Sequence, residues 1–259
     1  MPRSSDGAIL RQKALREELE RRGRVSTAEF ARRFGVHEIT IRRDLEALAG
    51  QGMAIRCYGG AVTARRITFE FALEERRRSH AAEKRRIGAE AARRIEPGHT
   101  VLLDTGTTTL EIARALAARP VPCRVATSSL LVASALWGRP SLELLLVGGR
   151  VRRGSPDLVG PDAERMLEGI RADLAFVGSE GIDLVLGSHA EDPEAARITE
   201  RMAAAARRVV CVTDRSKLGR VGPVRCLAIA DLDELITDRK ADPAFLAALR
   251  ARGVRVAAV

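Results

Sequence analysis

The sequence predicts an α/β protein in two parts, a short N-terminal region of helices and a larger domain built on a mostly parallel sheet. Three observations lead there. Before residue 60, apolar residues recur at helical spacing in three successive segments. From residue 81 onward, short β-prone runs alternate with helical stretches, as in a sheet whose parallel strands are joined by crossover helices. Between the two lies a charge-dense stretch, so the expected boundaries are 1–62, a linker at 63–80, and 81–259.

In the first region, Ile9, Leu10, Ala14, Leu15 and Leu19 mark one helix, with Ser5 or Asp6 as its cap and Gly23 as its stop. Ser26 followed by Glu29 has capping-box spacing and opens a second helix, whose inward residues are Phe30, Ala31 and Phe34. Gly35 ends it. A third helix runs from Glu38 to Ala49 with Ile41, Leu45 and Leu48 on one face. Two short helices joined by a glycine-containing turn form a helix-turn-helix pattern. The run MAIRCYGGAV, broken at Gly59 and Gly60, then predicts a two-stranded wing.

In that geometry the second helix of the pair lies in a DNA major groove with its first residues near base edges, while flanking groups clasp phosphates. The exposed positions there are His37, Glu38, Thr40, Arg42 and Arg43. The arginines are expected on phosphate, with base reading shared among His37, Glu38 and Thr40. Ser26 and Thr27 on the preceding helix, with Arg56, Tyr58, Gly59 and Gly60 in the wing, complete the candidate DNA-contacting set. Two arginines on a helix are in themselves only a solvated face; their surroundings make them candidates.

Charge agrees with that placement. Of a formal net charge of +10, residues 1–66 carry 14 Lys and Arg against 8 Asp and Glu, a net +6. At 259 residues and 46% hydrophobic content the chain can bury a real core. Neither an apolar leader nor a run of roughly 20 apolar residues is present, so a cytoplasmic location and no membrane partner are expected. Cys57, Cys123, Cys211 and Cys226 lie far apart without a C-x-x-C pair and read as buried or incidental thiols, with no metal and no cofactor expected.

The segment RQKALREELERRGRVSTAEFARRFGVHEITIRRDLEALAGQGMAIRCYGGAV resembles the N-terminal winged helix of DeoR-type bacterial transcription regulators, whose pattern runs V-S-x-x-T-I-R-R-D-L, then L-x-x-x-G, then G-G-A. His37 stands where that family usually has a serine cap, and histidine caps poorly.

In the second region the candidate strands are TVLLD, RVATS, LELLLVGG, LAFVG, VVCVTD and ELITD. The residues that follow them are polar or glycine-rich. Asp104, Thr105, Gly106, Thr107, Thr108 and Thr109 lead from the first strand into a helix. Thr127, Ser128 and Ser129 end the second; Gly148 and Gly149 the third; Gly178, Glu180 and Gly181 the fourth; Asp214 and Lys217 the fifth. All lie at carboxyl ends of strands, where open α/β sheets bind ligands, and a glycine-threonine loop opening a helix suits a phosphate or carboxylate. The chain has no G-x-x-x-x-G-K-[ST], and D-T-G-T-T-T is not a dinucleotide fingerprint, so a small anionic metabolite fits better than a nucleotide.

From Ala81 to the end the chain also resembles the DeoR-type effector domain, through Lys84 in EKRRIGAEA, the D-x-G-T-T-T loop, V-G-G-R, V-G-P-D-A, F-V-G-x-x-G-I-D, D-x-S-K-L-G and L-I-T-D. The resemblance implies a fold similar to ribose-5-phosphate isomerase and a phosphorylated sugar or related metabolite as effector. By that likeness Thr105 to Thr109 hold the phosphate, Lys217 approaches the ligand, and Asp104, Gly148, Gly149 and Gly178 to Gly181 shape the pocket. Ser128 replaces a usual asparagine, Glu180 stands where aspartate or another residue is common, and Thr199 replaces a usual lysine, so that either the ligand differs from those of the family or Arg197 or Arg201 substitutes for the missing charge. His189, with Glu191 and Asp192 in GSHAEDPEAA, is a candidate for contacting sugar hydroxyls or, less so, a metal, the default reading being a loop histidine without a ligand role.

The expected function is a sequence-specific regulator, a repressor of carbohydrate metabolism, acting as a homodimer or higher oligomer on operator DNA under control of a sugar phosphate. The alternative is a sugar-phosphate isomerase with a basic appendage, whose general base would be Asp104, Glu180 or Asp214.

Overall fold

The structure, a computed structural model, describes residues 4–57, 59–63, 73–152 and 154–259. The chain divides into two compact units, Met1–Arg76 and Arg77–Val259.

The first unit contains α1 (Ser4–Arg22), β1 (Arg24–Ser26), α2 (Thr27–Phe34), α3 (Glu38–Gly50), β2 (Ala54–Cys57) and β3 (Gly60–Thr63). Leu15, Leu19, Phe30, Ile41, Leu45 and Leu48 form its core, closed by Val25, Ala54 and Ala61. Two expectations change here. Ile9 and Leu10 are exposed, so the buried stripe of α1 starts later than the periodicity predicts. The wing has three strands in the order β1-β3-β2, because Val25 is buried and draws Arg24–Ser26 onto β3. A Cβ on Gly60 would meet the Val25 carbonyl oxygen at 1.9 Å, so this close strand approach requires glycine. Across the unit, Asp44 of α3 accepts from Arg11 Nε at 2.7 Å and from Gln12 Nε2 at 3.2 Å, tying α3 to α1.

The expected linker, 63–80, lies partly outside the described residues, and 73–78 are helical. The second unit then runs α4 (Ala81–Ala92), β4 (Thr100–Leu103), α5 (Thr107–Ala118), β5 (Cys123–Thr127), α6 (Leu130–Leu136) and β6 (Leu142–Leu146). A hairpin of β7 (Arg150–Val151) and β8 (Leu158–Val159) leads to α7 (Pro161–Glu168) and β9 (Leu174–Val177). After β10 (Gly181–Asp183) and β11 (Gly187–Ala190) come α8 (Pro193–Ala205), β12 (Val209–Val212), β13 (Val224–Arg225), β14 (Glu234–Thr237), α9 (Pro243–Arg250) and β15 (Arg255–Ala258).

Seven strands form one sheet in the order β15-β14-β12-β9-β4-β5-β6, every neighbouring pair parallel. The six strands expected from the sequence are in it; β15, alanine-rich and short, is the seventh. Strand alternation sorts side chains into two cores. Val101, Leu103, Phe176, Val210, Val212 and Ile236 pack with Ile87, Ile112, Leu116 and Leu136 of α4, α5 and α6. Leu102, Ala175, Val177, Cys211 and Leu235 pack with Leu167, Ile198, Met202 and Leu249 of α7, α8 and α9. Of the thiols, Cys57 is exposed, Cys123 and Cys211 are buried and Cys226 is half-buried. His189 lies in β11 rather than in a loop, because β10, β11 and β13 form a small antiparallel sheet that buries it. No helix among the described residues is long and apolar enough to cross a membrane.

Candidate functional site

In the first unit, α2 ends at Gly35 in the left-handed conformation (φ 60°), and Val36 N–H closes back on the Ala31 carbonyl. That turn sets α3 at its angle to α2. α3 opens at His37, whose side chain makes no cap bond, so its first N–H groups are left to other acceptors, with Glu38 beside them. His37, Glu38, Arg42 and Arg43 are exposed and Thr40 is half-buried. Arg42 lies 3.4 Å from the Glu38 carboxylate one turn earlier.

Several wing and α2 assignments change. Arg56 Nη1 donates to the Arg42 carbonyl and to Glu46 Oε1, both at 3.0 Å, which makes it a strut between β2 and α3 rather than a free phosphate clasp. Thr27 is buried, and the Ser26 hydroxyl accepts from Glu29 N–H as the cap of α2. Gly60 serves strand approach, as above. Gly59 is an exposed turn residue at φ 77°. Tyr58 lies outside the described residues.

In the second unit the five polar loops follow β12, β9, β4, β5 and β6, which are consecutive neighbours in the sheet, so all five stand in one row along its carboxyl edge. The chain leaves β4 toward β5 and β6 and later returns to β9 on the other side of β4. The crevice between β4 and β9 is therefore a topological switch point, the place where such sheets bind ligands.

Asp104 ends β4 at that crevice. Its Oδ1 accepts from Thr105 N–H at 2.7 Å, its Oδ2 from the Thr199 hydroxyl at 3.0 Å, and Gly178 N–H from the β9 side also reaches the carboxylate. Burial raises its pKa to about 6, with the Asp157 charge adding to the rise and these hydrogen bonds opposing it. Gly106 (φ 140°) then turns the chain into α5, whose N-terminus has no side-chain cap bond. Thr105 and Thr107 are partly exposed beside it and Thr108 is nearly covered. Thr109 is fully buried and donates to the Gly106 carbonyl at 3.0 Å, so it closes the loop rather than facing a ligand.

Charged groups flank this loop. Lys217 is presented by a short turn that Asp214 caps through Ser216 N–H, and its Nζ lies 2.6 Å from Glu180 Oε2. Buried Lys84 of α4 lies 4.0 Å from Asp214. Thr127 donates to the Leu103 carbonyl at 2.6 Å and Ser129 caps α6, so both are spent on the scaffold. The Ser128 hydroxyl between them is buried with no hydrogen-bond partner among the described residues. Gly148 is an exposed loop residue, Gly149 passes tightly against the Val159 carbonyl, and Gly181 against that of Arg220.

The expectation that Arg197 or Arg201 replaces the missing lysine is overturned: Arg197 pairs with Glu164, and Arg201 with Glu164 and Glu168. The cation that sequence reading misses is Arg152. Its buried guanidinium holds Asp157 at 3.1 Å and also pairs with Asp192, the cap of α8. Burial works against its charge, and the two carboxylates outweigh it. Nothing in VRRGSPD marks this arginine as interior; the β7–β8 hairpin turns it inward.

Residues 11–66 match the family model described as the DeoR-like helix-turn-helix domain, and residues 79–239 that of the DeoR C terminal sensor domain. The chain is 35% identical over 252 residues to a putative aga operon transcriptional repressor of Escherichia coli O157:H7, covering 96% of this chain and 93% of the relative. It is 32% identical over 229 residues to the glycerol-3-phosphate regulon repressor of Escherichia coli K12, covering 88% and 90%. With the transcriptional repressor GlcR of Bacillus subtilis it shares 31% over 245 residues, covering 94% and 93%. Ribose 5-phosphate isomerase A of Methanocaldococcus jannaschii aligns over 54% of this chain and 55% of its own at 17% identity and a TM-score of 0.41, too distant to carry a functional argument. Relatives that match over nearly their whole length are named as transcription regulators, which removes the isomerase alternative. The chain carries both domains of one regulator architecture and belongs to the DeoR family of transcriptional regulators.

Proposed function

We propose that the protein represses genes of sugar or sugar-related metabolism by binding operator DNA through α3, and that a small phosphorylated sugar or related metabolite at the carboxyl ends of β9, β4 and β5 controls that binding. The observation that carries the effector reading is the switch-point crevice between β4 and β9, into which Asp104–Gly106 lead and where α5 begins without a side-chain cap. The Ser128 hydroxyl just after the neighbouring strand, without a hydrogen-bond partner among the described residues, and the cations Lys217 and Lys84 support a ligand bearing both hydroxyls and an anionic group. Relatives named for the aga operon and the glycerol-3-phosphate regulon support the same class of target genes.

Control follows from linkage. The effector shifts the DNA-competent population by no more than its differential affinity for the two states. Because helix-turn-helix regulators read paired half-sites about 34 Å apart or multiples of that, the working form is a homodimer or higher symmetric oligomer.

Thermal unfolding in the presence of a panel of sugar phosphates, with inorganic phosphate as control, tests the reading. One compound is expected to raise Tm in the wild type and less so in Thr107→Val and Lys217→Ala. A panel without effect, or equal shifts in the variants, would overturn it.

A further inference from the structure

The outermost residue of α3 is apolar. At roughly 100° per residue about the helix axis, the buried side chains Ile41, Asp44, Leu45 and Leu48 centre on one side. The opposite direction falls between Ile39 and Arg43, neighbours one turn apart. Ile39 is 59% exposed. Glu38 and Arg42 lie on one flank and pair with each other. Thr40 lies on the other flank, half-buried, its N–H turned to the His37 carbonyl. Arg43 is exposed.

A branched aliphatic residue at the apex of a charged, solvated helix gains nothing from folding, since its exposed surface is not removed from water. In a major groove it has one apolar partner on the base edges, the thymine C5-methyl group. We propose that Ile39 reads a thymine methyl in each operator half-site, with Arg43 beside it on the same face contacting a neighbouring base or phosphate. This rests on the reading that α3 enters the major groove. It moves base recognition from Glu38 and Thr40, on the flanks of the helix, to the apex, a position absent from the candidates drawn from the sequence.

The test uses the full chain. Duplexes are first enriched from a random library with the wild-type protein, and each thymidine of the enriched site is then replaced in turn by deoxyuridine, which deletes only the methyl group. One position per half-site is expected to lose about fourfold in affinity, the effect of unburying one methyl-sized group. Ile39→Ser, with an unchanged Tm, should bind thymidine and deoxyuridine duplexes alike at that position and keep the wild-type salt dependence. Indifference of the wild type to every such replacement, or retained discrimination in Ile39→Ser, overturns the proposal and leaves operator binding standing. Failure of the wild type to enrich any sequence overturns both.

Discussion

Thr199 of α8 donates its hydroxyl to Asp104 at the end of β4, 3.0 Å away, joining two residues 95 positions apart in the chain. The same hydroxyl lies 3.2 Å from the Ala195 carbonyl. Burial raises the Asp104 pKa from 3.8 to about 6, so the folded protein binds this proton more tightly than the unfolded chain does. The stability gained from it is complete below the unfolded pKa and is lost as pH rises through the folded one.

An asparagine at 104 reproduces the protonated side chain, since its Nδ2 can donate to Thr199 Oγ1 and leave that hydroxyl to Ala195. Relative to wild type, Asp104→Asn should therefore gain about 3 kcal/mol between roughly pH 4 and pH 7.5. Urea unfolding of both proteins across that range checks it; a difference that does not change with pH would contradict the assignment.

The buried pair of Arg11 and Asp44 holds α1 on α3, with side chains 15% and 7% exposed. Removing one partner leaves a charge without its counterion, so Asp44→Ala should cost about 3 kcal/mol, and the double variant Arg11→Met with Asp44→Leu should recover much of that. Chemical unfolding of the N-terminal unit distinguishes the two cases. A double variant no more stable than the single one would mean that the pair is not the main tie.

Gly59 and Gly60 should differ sharply in their tolerance of a side chain. At Gly60 a Cβ meets the Val25 carbonyl, whereas at Gly59 it meets open space, at a φ of 77°. Alanine at 60 should cost about 3 kcal/mol through forced strand separation, and alanine at 59 about 1 kcal/mol through backbone strain alone. Equal losses in thermal unfolding would argue against the close β1–β3 pairing.

Salt dependence separates arginines that meet phosphate from those that brace the fold. Arg43→Ala or Arg42→Ala should weaken duplex binding and reduce the magnitude of the slope of log K against log salt by about 1. Arg56→Ala should weaken binding with little change in slope, because its guanidinium is engaged with Arg42 and Glu46 of α3. A full unit of slope lost at Arg56 would return it to the phosphate contacts.

Much of the fold was legible because its signals are local. Gly35 stops α2, strand alternation sorts residues between two faces, and polar loops follow five of the six apolar runs. What stayed hidden depends on partners distant in sequence. Thr199 reads only as a departure from a usual lysine, its partner Asp104 unseen until α8 packs beside β4, and Arg152 looks like a surface charge until its hairpin folds in on Asp157 and Asp192. Ile39 was hidden for another reason: an apolar residue in a helix reads as core, and only the direction of its neighbours Ile41 and Leu45 shows that it points outward.

Effector control of repression, as proposed, requires coupling between the strand-end site and α3. Its most direct test is fluorescence anisotropy of a labelled duplex from the upstream region of this protein's own gene, titrated with protein with and without the sugar phosphate that raises Tm most. The expected result is sequence-dependent binding that this compound changes at least severalfold, with the change reduced in Lys217→Ala. Binding indifferent both to sequence and to every compound in the panel would contradict it.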